Sequence, residues 1–374
     1  MTKGRMLDYI REQPESVANT RRVCRPGIAE LQQIWAGMPP KHVIVAGLGS
    51  SYTAAQMASP LLRRCLPVPT SVTVATEVGV DLGLPLGPDT LVVLVSRSGE
   101  RGGIVDAQLA ARRAGATCVA VTAVESSLLG QGADVVIVTG EGPESTYAKT
   151  KSVIATATAL MELGLAFGAD AEEMSRLEAA LAGVPEILTR EIEEAEHHLE
   201  PLASRLARHQ SALITGTAGN QGVAQEGAIK IQEAAALTCE WDEAGSAYYG
   251  TVTILSPGWL FVALVTRADY HLSRALLDLA GQFGAYRLCI AEPGLELDGN
   301  AEAVVRVGEA GDPLLAPLLF LPPIHLLTYH LAAGRGLNPD EPLFADMMLK
   351  AMLPPGREEP DWRPAAVQEG PDGG

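Results

Sequence analysis

Cysteine is sparse in this chain, and its placement is informative. Five cysteines (Cys24, Cys65, Cys118, Cys239, Cys289) are scattered through 374 residues with no CxxC pair among them. An odd, dispersed set excludes a disulfide framework or a zinc ribbon and fits reduced thiols in a cytoplasm. Positive charge is also short: 28 lysines and arginines stand against 45 acidic residues, a formal net charge of −17. That excludes the basic face a nucleic-acid partner requires. The opening, MTKGRMLDYIREQPES, lacks the apolar core of a secretory signal, and no apolar run reaches the roughly 18 residues of a membrane-spanning helix. No membrane partner is expected. Aromatic residues make up only 5%, yet apolar residues reach 47%, enough for extensive cores. The length exceeds one ordinary core and favours two domains.

What the chain does have is a repeat. VIVAGLGSS at Val43–Ser51 has a counterpart in LITGTAGNQ at Leu213–Gln221, with Gly47 and Gly216 169 residues apart. LVVLVSRSG, from Leu91, matches FVALVTRAD, from Phe261, at an offset of 170. Gly115 and Gly284 return to 169, as do DVVIV at Asp134–Val138 and AVVRV at Ala303–Val307. Four landmarks in one order make the chain two copies of one unit. Within each copy, strand, glycine-rich turn and helix alternate: Val43–Ala46, a helix over Tyr52–Arg64, a strand over Ser71–Thr76, then Leu91–Val95. Alternation of this kind implies an α/β fold, a mostly parallel sheet with helices on both faces. Between the copies, Ser175–Gln210 has helical apolar spacing and reads as a helix pair. His197 and His198, beside glutamates, read as a solvated helix face rather than as metal ligands. The final stretch, LPPGREEPDWRPAAVQEGPDGG, has little to bury and is expected to be disordered.

Leu91–Gly103, LVVLVSRSGERGG, raises the functional question. Five apolar residues suit a strand buried on both faces. Its carboxyl end, where open α/β sheets bind ligands, carries Ser96, Arg97, Ser98 and Gly99. A phosphate needs several donors converging on one point, ideally at a helix N-terminus. The turn Gly47-Leu48-Gly49-Ser50-Ser51 supplies similar groups from the neighbouring strand. Neither loop ends in Gly-Lys-Ser/Thr, which excludes a Walker A site. Gly47-x-Gly49-x-x-Tyr52 lacks the third glycine of a dinucleotide fingerprint, and Glu77 lies too far on for a ribose contact. Tight turns with capping serines are the plain alternative. The second copy argues against that alternative, because its loop reads Thr266-Arg267-Ala268-Asp269, with an aspartate that would repel phosphate. The cradle therefore belongs to the first copy alone.

The second copy carries AQEGAIKIQEAAAL, Ala224–Leu237, which reads as a helix. Ala224, Ala228, Ile231 and Ala235 form its packing stripe. Glu226, Lys230 and Glu233, at i, i+4 and i+7, share the adjacent face. They read either as a salt-bridged surface stripe or as a carboxylate base with a lysine beside it, as proton transfer next to a sugar carbonyl requires.

Taken together, these motifs resemble the tandem sugar-isomerase (SIS) domain family. The chain is similar to the isomerase half of the glucosamine-6-phosphate synthases and to stand-alone phosphosugar isomerases and deglycases. IREQPES resembles the family's N-terminal opening, GLGSSY and SRSGE its two sugar-phosphate loops, and ESTYAKTKS (Glu144–Ser152) the segment closing over the sugar. QEGAIKIQE resembles its catalytic helix, and GLNPDEP (Gly336–Pro342) the start of its C-terminal loop. The resemblance implies a flavodoxin-like αβα sandwich in each copy. It also implies that Gly49, Ser50, Ser51, Ser96, Arg97 and Ser98 hold phosphate and sugar, with help around Tyr147 and Lys149. Glu233 would shuttle a proton between C1 and C2, with Lys230 as its partner. Three positions depart from the synthase pattern. Arg101 stands where the synthase has a phosphate-binding threonine, Tyr249 falls at the ring-opening histidine, and Met347 falls near the loop lysine, with Lys350 three residues on.

The organisation expected is an N-terminal helical arm (1–30), a first SIS domain with the cradle (31–170), a helical linker (171–205), a second SIS domain with the catalytic helix (206–335) and a C-terminal loop and tail (336–374). The function expected is a cytoplasmic enzyme acting on a ketose, aldose or amino-sugar phosphate by proton abstraction beside the carbonyl, through isomerisation, deglycation or deamination. No cofactor or metal is expected. No glutaminase domain is read, so no ammonia delivery from glutamine is expected. A homodimer is implied, because in the resembled family the residue at the Tyr249 position comes from the neighbouring subunit. A non-catalytic phosphosugar sensor is the alternative that Tyr249 and Met347 keep open.

Overall fold

The computed structural model describes residues 5–80, 83–100 and 102–341, together with 343–344 and 347–348. Arg101, Lys350 and the C-terminal stretch expected to be disordered lie outside the described residues. Three helices open the chain: α1 (Arg5–Arg11), α2 (Gln13–Val23) and α3 (Arg25–Gly37). The first copy runs β1 (His42–Gly47), α4 (Ser50–Cys65), β2 (Thr70–Val74), α5 (Ala75–Gly79), β3 (Thr90–Val95), α6 (Gly102–Arg113), β4 (Thr117–Thr122), α7 (Leu128–Gln131), β5 (Val135–Val138) and α8 (Lys151–Leu165). After α9 (Ala171–Leu199) and α10 (Ala203–Leu206), the second copy runs β6 (Ser211–Gly216), α11 (Gly219–Ala235), β7 (Thr238–Glu243), α12 (Ala244–Tyr249), β8 (Trp259–Val265), α13 (Tyr270–Gln282), β9 (Tyr286–Ala291), β10 (Ala303–Arg306) and α14 (Ala316–Gly334).

Both sheets are parallel and five-stranded, in the orders β2-β1-β3-β4-β5 and β7-β6-β8-β9-β10, which is the same order twice. The α/β class and the repeat therefore hold together. Alternation along the strands builds the layers, because successive side chains face opposite sides of a sheet. Val43 and Val45 face a large core that also contains Leu61, Ala212, Ile214, Ile231 and Leu327. Ile44 and Ala46 face a smaller core with Ile104 and Ala107 of α6, and Leu213 with Phe261 faces its counterpart under α13. The large core thus joins the two copies through a shared helical layer.

The repeat extends to its steric causes. A Cβ on Gly47 would meet the backbone of Ser51 at 2.8 Å, and one on Gly216 would meet that of Asn220 at 2.5 Å. In each copy the first helical turn presses on the strand end, which only glycine permits. Gly115 and Gly284, both at positive φ, lie against Pro88 and Pro257 respectively. Strand pairing keeps the offset of 169, since Ala46 aligns with Leu94 as Thr215 does with Ala263. The loop offset of 170 reflects one extra residue at the end of β8.

Two expectations need correction. The linker is not a helix pair but one helix of 29 residues, followed by a 3₁₀ turn and the short α10. Leu177, Leu181, Val184, Leu188, Ile192, Ala195 and Leu199 form one unbroken buried stripe that carries the helix through Pro185, and Asp170 caps its start through the N–H groups of Glu172 and Glu173. The second correction concerns Pro313–Gly334, which is long and apolar enough to cross a membrane by composition. Pro322, Pro323, His325 and Thr328 interrupt its apolar run. Here 89% of that window is buried inside the protein, where the helix packs between α11 and α9. His197 and His198 are exposed on α9, as a solvated face requires.

The turns before α4 and α11 share one backbone shape. Gly49 has φ 52° and ψ −128°, and its counterpart Ala218 has φ 48° and ψ −123°. A Cβ is strained in that region. Ala218→Gly should therefore raise stability by about 1 kcal/mol, despite glycine's greater unfolded-state entropy. Urea unfolding of the two proteins checks this, and a destabilised variant would contradict it.

Candidate active site

A cavity of about 380 Å³ opens at the carboxyl end of the first sheet, where α4, α8 and α11 meet. Its wall contains Leu48, Gly49, Ser50 and Ser51 from the α4 turn, Arg97 from the loop after β3, and Thr146, Tyr147 and Lys149 from the segment before α8. Ser152, Val153 and Thr156 of α8 and Lys230 and Glu233 of α11 complete it. Residues from both copies thus line one space. Ser96 and Ser98 are half-buried beside it but are not part of the wall. The Ser96 hydroxyl instead accepts the Gly99 N–H at 3.2 Å and closes the loop.

On α11 the Glu226, Lys230, Glu233 spacing does not make a surface stripe. Glu226 and Lys230 are buried, and Glu233 is partly exposed. The Lys230 Nζ donates to Glu233 at 2.5 Å and lies 3.6 Å from Glu226. Burial works against its charge, but the two carboxylates more than offset that and hold the ammonium above the usual lysine range. Burial also pushes the Glu226 carboxyl up, against Lys230 and a hydrogen bond from the Thr53 hydroxyl at 2.6 Å. That hydroxyl lies 3.0 Å from the Ser50 carbonyl as well. One buried carboxylate therefore ties the catalytic-type helix of the second copy to the serine turn of the first.

The segment before α8 is held from three sides. Glu144 is buried and accepts the N–H groups of Thr150 at 2.6 Å, Lys151 at 3.1 Å and Ser152 at 3.2 Å, so it caps α8. Ser145 meets Tyr9 of α1 at 3.0 Å, and Lys151 pairs with Glu12 and lies over the Tyr9 ring. Asp340 in turn caps α1 through the N–H groups of Arg5 and Met6, both at 2.8 Å. The N-terminal helices, the Glu144–Ser152 segment and Asp340, separate in sequence, are thus tied into one bracket, of which Thr146, Tyr147, Lys149 and Ser152 line the cavity. Arg97 faces the cavity, with its Nε 3.5 Å from the buried Glu141, whose carboxyl burial pushes up.

The second copy is built differently at the corresponding place. The Asp269 carboxylate accepts the Thr217 hydroxyl, the Thr266 N–H and the Thr266 hydroxyl, each at 2.7 Å. Thr217 and Thr266, which stand where the first copy has Leu48 and Ser96, thus converge on the protein's own anion. Tyr249, at the end of α12, is 90% exposed and takes no part in this chain's cavity wall, and Met347 is 60% exposed. Thr146, Ser152 and Thr156 line the wall although sequence reasoning did not single them out. Ser152 and Thr156, at i and i+4 in KSVIATATAL, were the available signal.

Comparison with known proteins follows the same outline. Residues 38–166 match the SIS domain model. The chain is 30% identical over 345 residues to a glutamine–fructose-6-phosphate aminotransferase (isomerizing) of Pyrobaculum aerophilum, covering 90% of this chain and 56% of that protein. It is 29% identical to the enzyme of the same name in Aeropyrum pernix, with 90% and 55% covered. The chain thus spans about half the length of the curated relatives it matches. Among solved structures, the C-terminal domain of glucosamine-fructose-6-phosphate aminotransferase from Francisella tularensis superposes with a TM-score of 0.84 at 22% identity, covering 91% of this chain and 98% of that one. Tagatose-6-phosphate ketose/aldose isomerase from Escherichia coli gives 0.75 at 18%, covering 91% and 95%. These structural likenesses bear on the fold.

Glu144 generates a test of the bracket. Burial works to raise its carboxyl, but Lys149 and the N–H groups it accepts outweigh that and hold it below the ordinary range. Its contribution to stability is therefore present above the ordinary carboxylate range and is lost as pH falls. Glu144→Gln should cost about 1.5–3 kcal/mol at neutral pH, and its gap to wild type should shrink below about pH 4. Denaturant unfolding at several pH values measures this, and a gap independent of pH would contradict it.

Proposed function

We propose that this chain, which belongs to the SIS-domain family, is an enzyme of the phosphosugar-isomerase type. It would act on a ketose, aldose or amino-sugar phosphate by removing a proton beside the carbonyl. The observation that carries this reading is the meeting of a polar, hydroxyl-rich turn at the α4 N-terminus with a carboxylate–lysine pair across one cavity. Gly49, Ser50, Ser51 and Arg97 would take the phosphate, where helix N–H groups and a guanidinium favour negative charge. Ser96 and Ser98 would shape the loop that presents Arg97, and Arg101, outside the described residues, would contribute to phosphate binding. Tyr147 would close over the sugar.

Glu233 would be the base. It is the carboxylate on the cavity wall, and Lys230 holds it in place and keeps positive charge beside the enediolate as it forms. Glu226, bonded to Thr53, would position Lys230 rather than touch substrate. Isomerisation, deglycation and deamination share this enediol step. Five free, buried thiols fit action in a reducing cytoplasm. Tyr249 would serve a neighbouring subunit's site in a homodimer, which accords with a large aromatic left exposed at the end of α12. The alternative, a phosphosugar sensor, rests on Tyr249 and Met347 standing where the resembled synthases carry a ring-opening histidine and a loop lysine.

In D₂O the protein should wash the C1 or C2 proton out of a suitable hexose or hexosamine 6-phosphate, followed by proton NMR. Glu233→Gln should slow this about 10²–10⁴-fold with little change in binding. Thr266→Ala should leave affinity intact, whereas Ser51→Ala should weaken it at least about tenfold. A wild-type protein that binds these sugars yet leaves every proton in place is a sensor, and the enzyme reading fails. Light scattering of the active protein should report a dimer, and an active monomer would refute the shared-site assignment of Tyr249.

A further inference from the structure

Two lysines line the cavity, and their surroundings treat them oppositely. Lys230 is clasped by Glu226 and Glu233, which hold its ammonium above the usual lysine range. A group held that firmly is a poor proton donor near neutral pH. Lys149 is different. Its Nζ donates to the carbonyl oxygens of Glu144, at 2.7 Å, and Thr146. An ammonium has three N–H bonds, so two are spent on the loop's backbone and a third remains. The side chain lines the cavity wall that Glu233 also lines.

The geometry points to Lys149 as a catalytic acid, opposite in role to Glu233, that gives its third proton to the sugar's carbonyl oxygen and later takes it back. This rests on the enzyme reading above and extends it by giving Lys149, which the resemblance implies only as a binding residue, a part in the proton transfer. The step balances. Glu233 takes the proton on carbon, the C–H electron pair becomes the carbon–carbon double bond of the enediol, and the carbonyl π pair takes the proton from Lys149. The Lys149 amine keeps its two N–H bonds to the loop. In the second half, Glu233 returns its proton to the neighbouring carbon, and the Lys149 amine removes one from the neighbouring hydroxyl.

Electrostatics fit this task. Burial lowers the Lys149 ammonium to about 8, with Arg97 and Lys230 pushing the same way and Glu144 and Glu233 opposing. An acid whose affinity for its proton lies close to the working pH is an efficient one, and two groups driven apart by environment mark divided roles. Arg97 cannot titrate, Lys230 is held charged and Glu144 is held ionised, so these neighbours keep their charge between pH 7 and 9.

The test uses the full chain and the deuterium exchange of a bound hexose 6-phosphate. Wild-type exchange should fall about tenfold per pH unit above an inflection near 8. Lys149→Arg keeps the cation and cannot deprotonate. It should bind the sugar phosphate within about threefold of wild type, exchange at least about tenfold more slowly and show no inflection between pH 7 and 9. Exchange by Lys149→Arg at the wild-type rate and with the wild-type profile overturns the proposal. So does a flat wild-type profile over that range, a readout that needs no variant. A wild type that binds but never exchanges refutes the enzyme reading itself, which is a distinguishable failure.

Discussion

The site depends on one close contact, the crossing of α4 and α11. A Cβ on Gly222 would come within 2.8 Å of the Thr53 carbonyl and the Met57 nitrogen, and one on Gly219 within 2.8 Å of the Met57 carbonyl. Only glycine lets these backbones approach so closely. At that crossing the Thr53 hydroxyl reaches Glu226, whose charge faces Lys230. Widening the crossing would part the serine turn from the carboxylate–lysine pair, and neither half is a complete site alone. The buried charges also explain why this contact is polar at its centre. A lysine with almost no exposure persists only where carboxylates surround it.

Duplication supplied the two halves, and divergence assigned them. Both copies build a strand, a strained turn and a helix, down to the near-identical backbone angles at Gly49 and Ala218. In the first copy Gly49, Ser50 and Ser51 of that turn line the cavity. In the second, Asp269 occupies the donors of Thr217 and Thr266, so an incoming anion would meet a carboxylate already hydrogen-bonded there. The second copy gives up its own cradle and contributes α11 to its neighbour's.

Most of the architecture was legible in the sequence because backbone constraints repeat. Gly47 and Gly216 mark the same steric conflict, and the apolar strands declare a parallel sheet by running without alternation. The serine turn and the α11 spacing were legible for the same reason, since helical periodicity places Glu226, Lys230 and Glu233 together. The burial of that face was not, because i, i+4, i+7 charges look alike on a surface and at a helix–helix seam. What covers the face is α4, more than 150 residues earlier in the chain. The bracket was equally hidden: nothing local says that Asp340 caps the helix beginning at Arg5, or that Glu12 pairs with Lys151. Long-range partners of this kind leave no periodic trace. The continuity of α9 is set by its packing, since the buried stripe runs on both sides of Pro185.

A structure of the chain with a hexose 6-phosphate bound addresses the central claim most directly. The account predicts phosphate on Ser50, Ser51 and Arg97, with the C1–C2 bond beside Glu233 and the second copy's turn still closed on Asp269. Phosphate at Thr217 and Thr266, or a sugar whose reactive carbons lie away from Glu233, would contradict it.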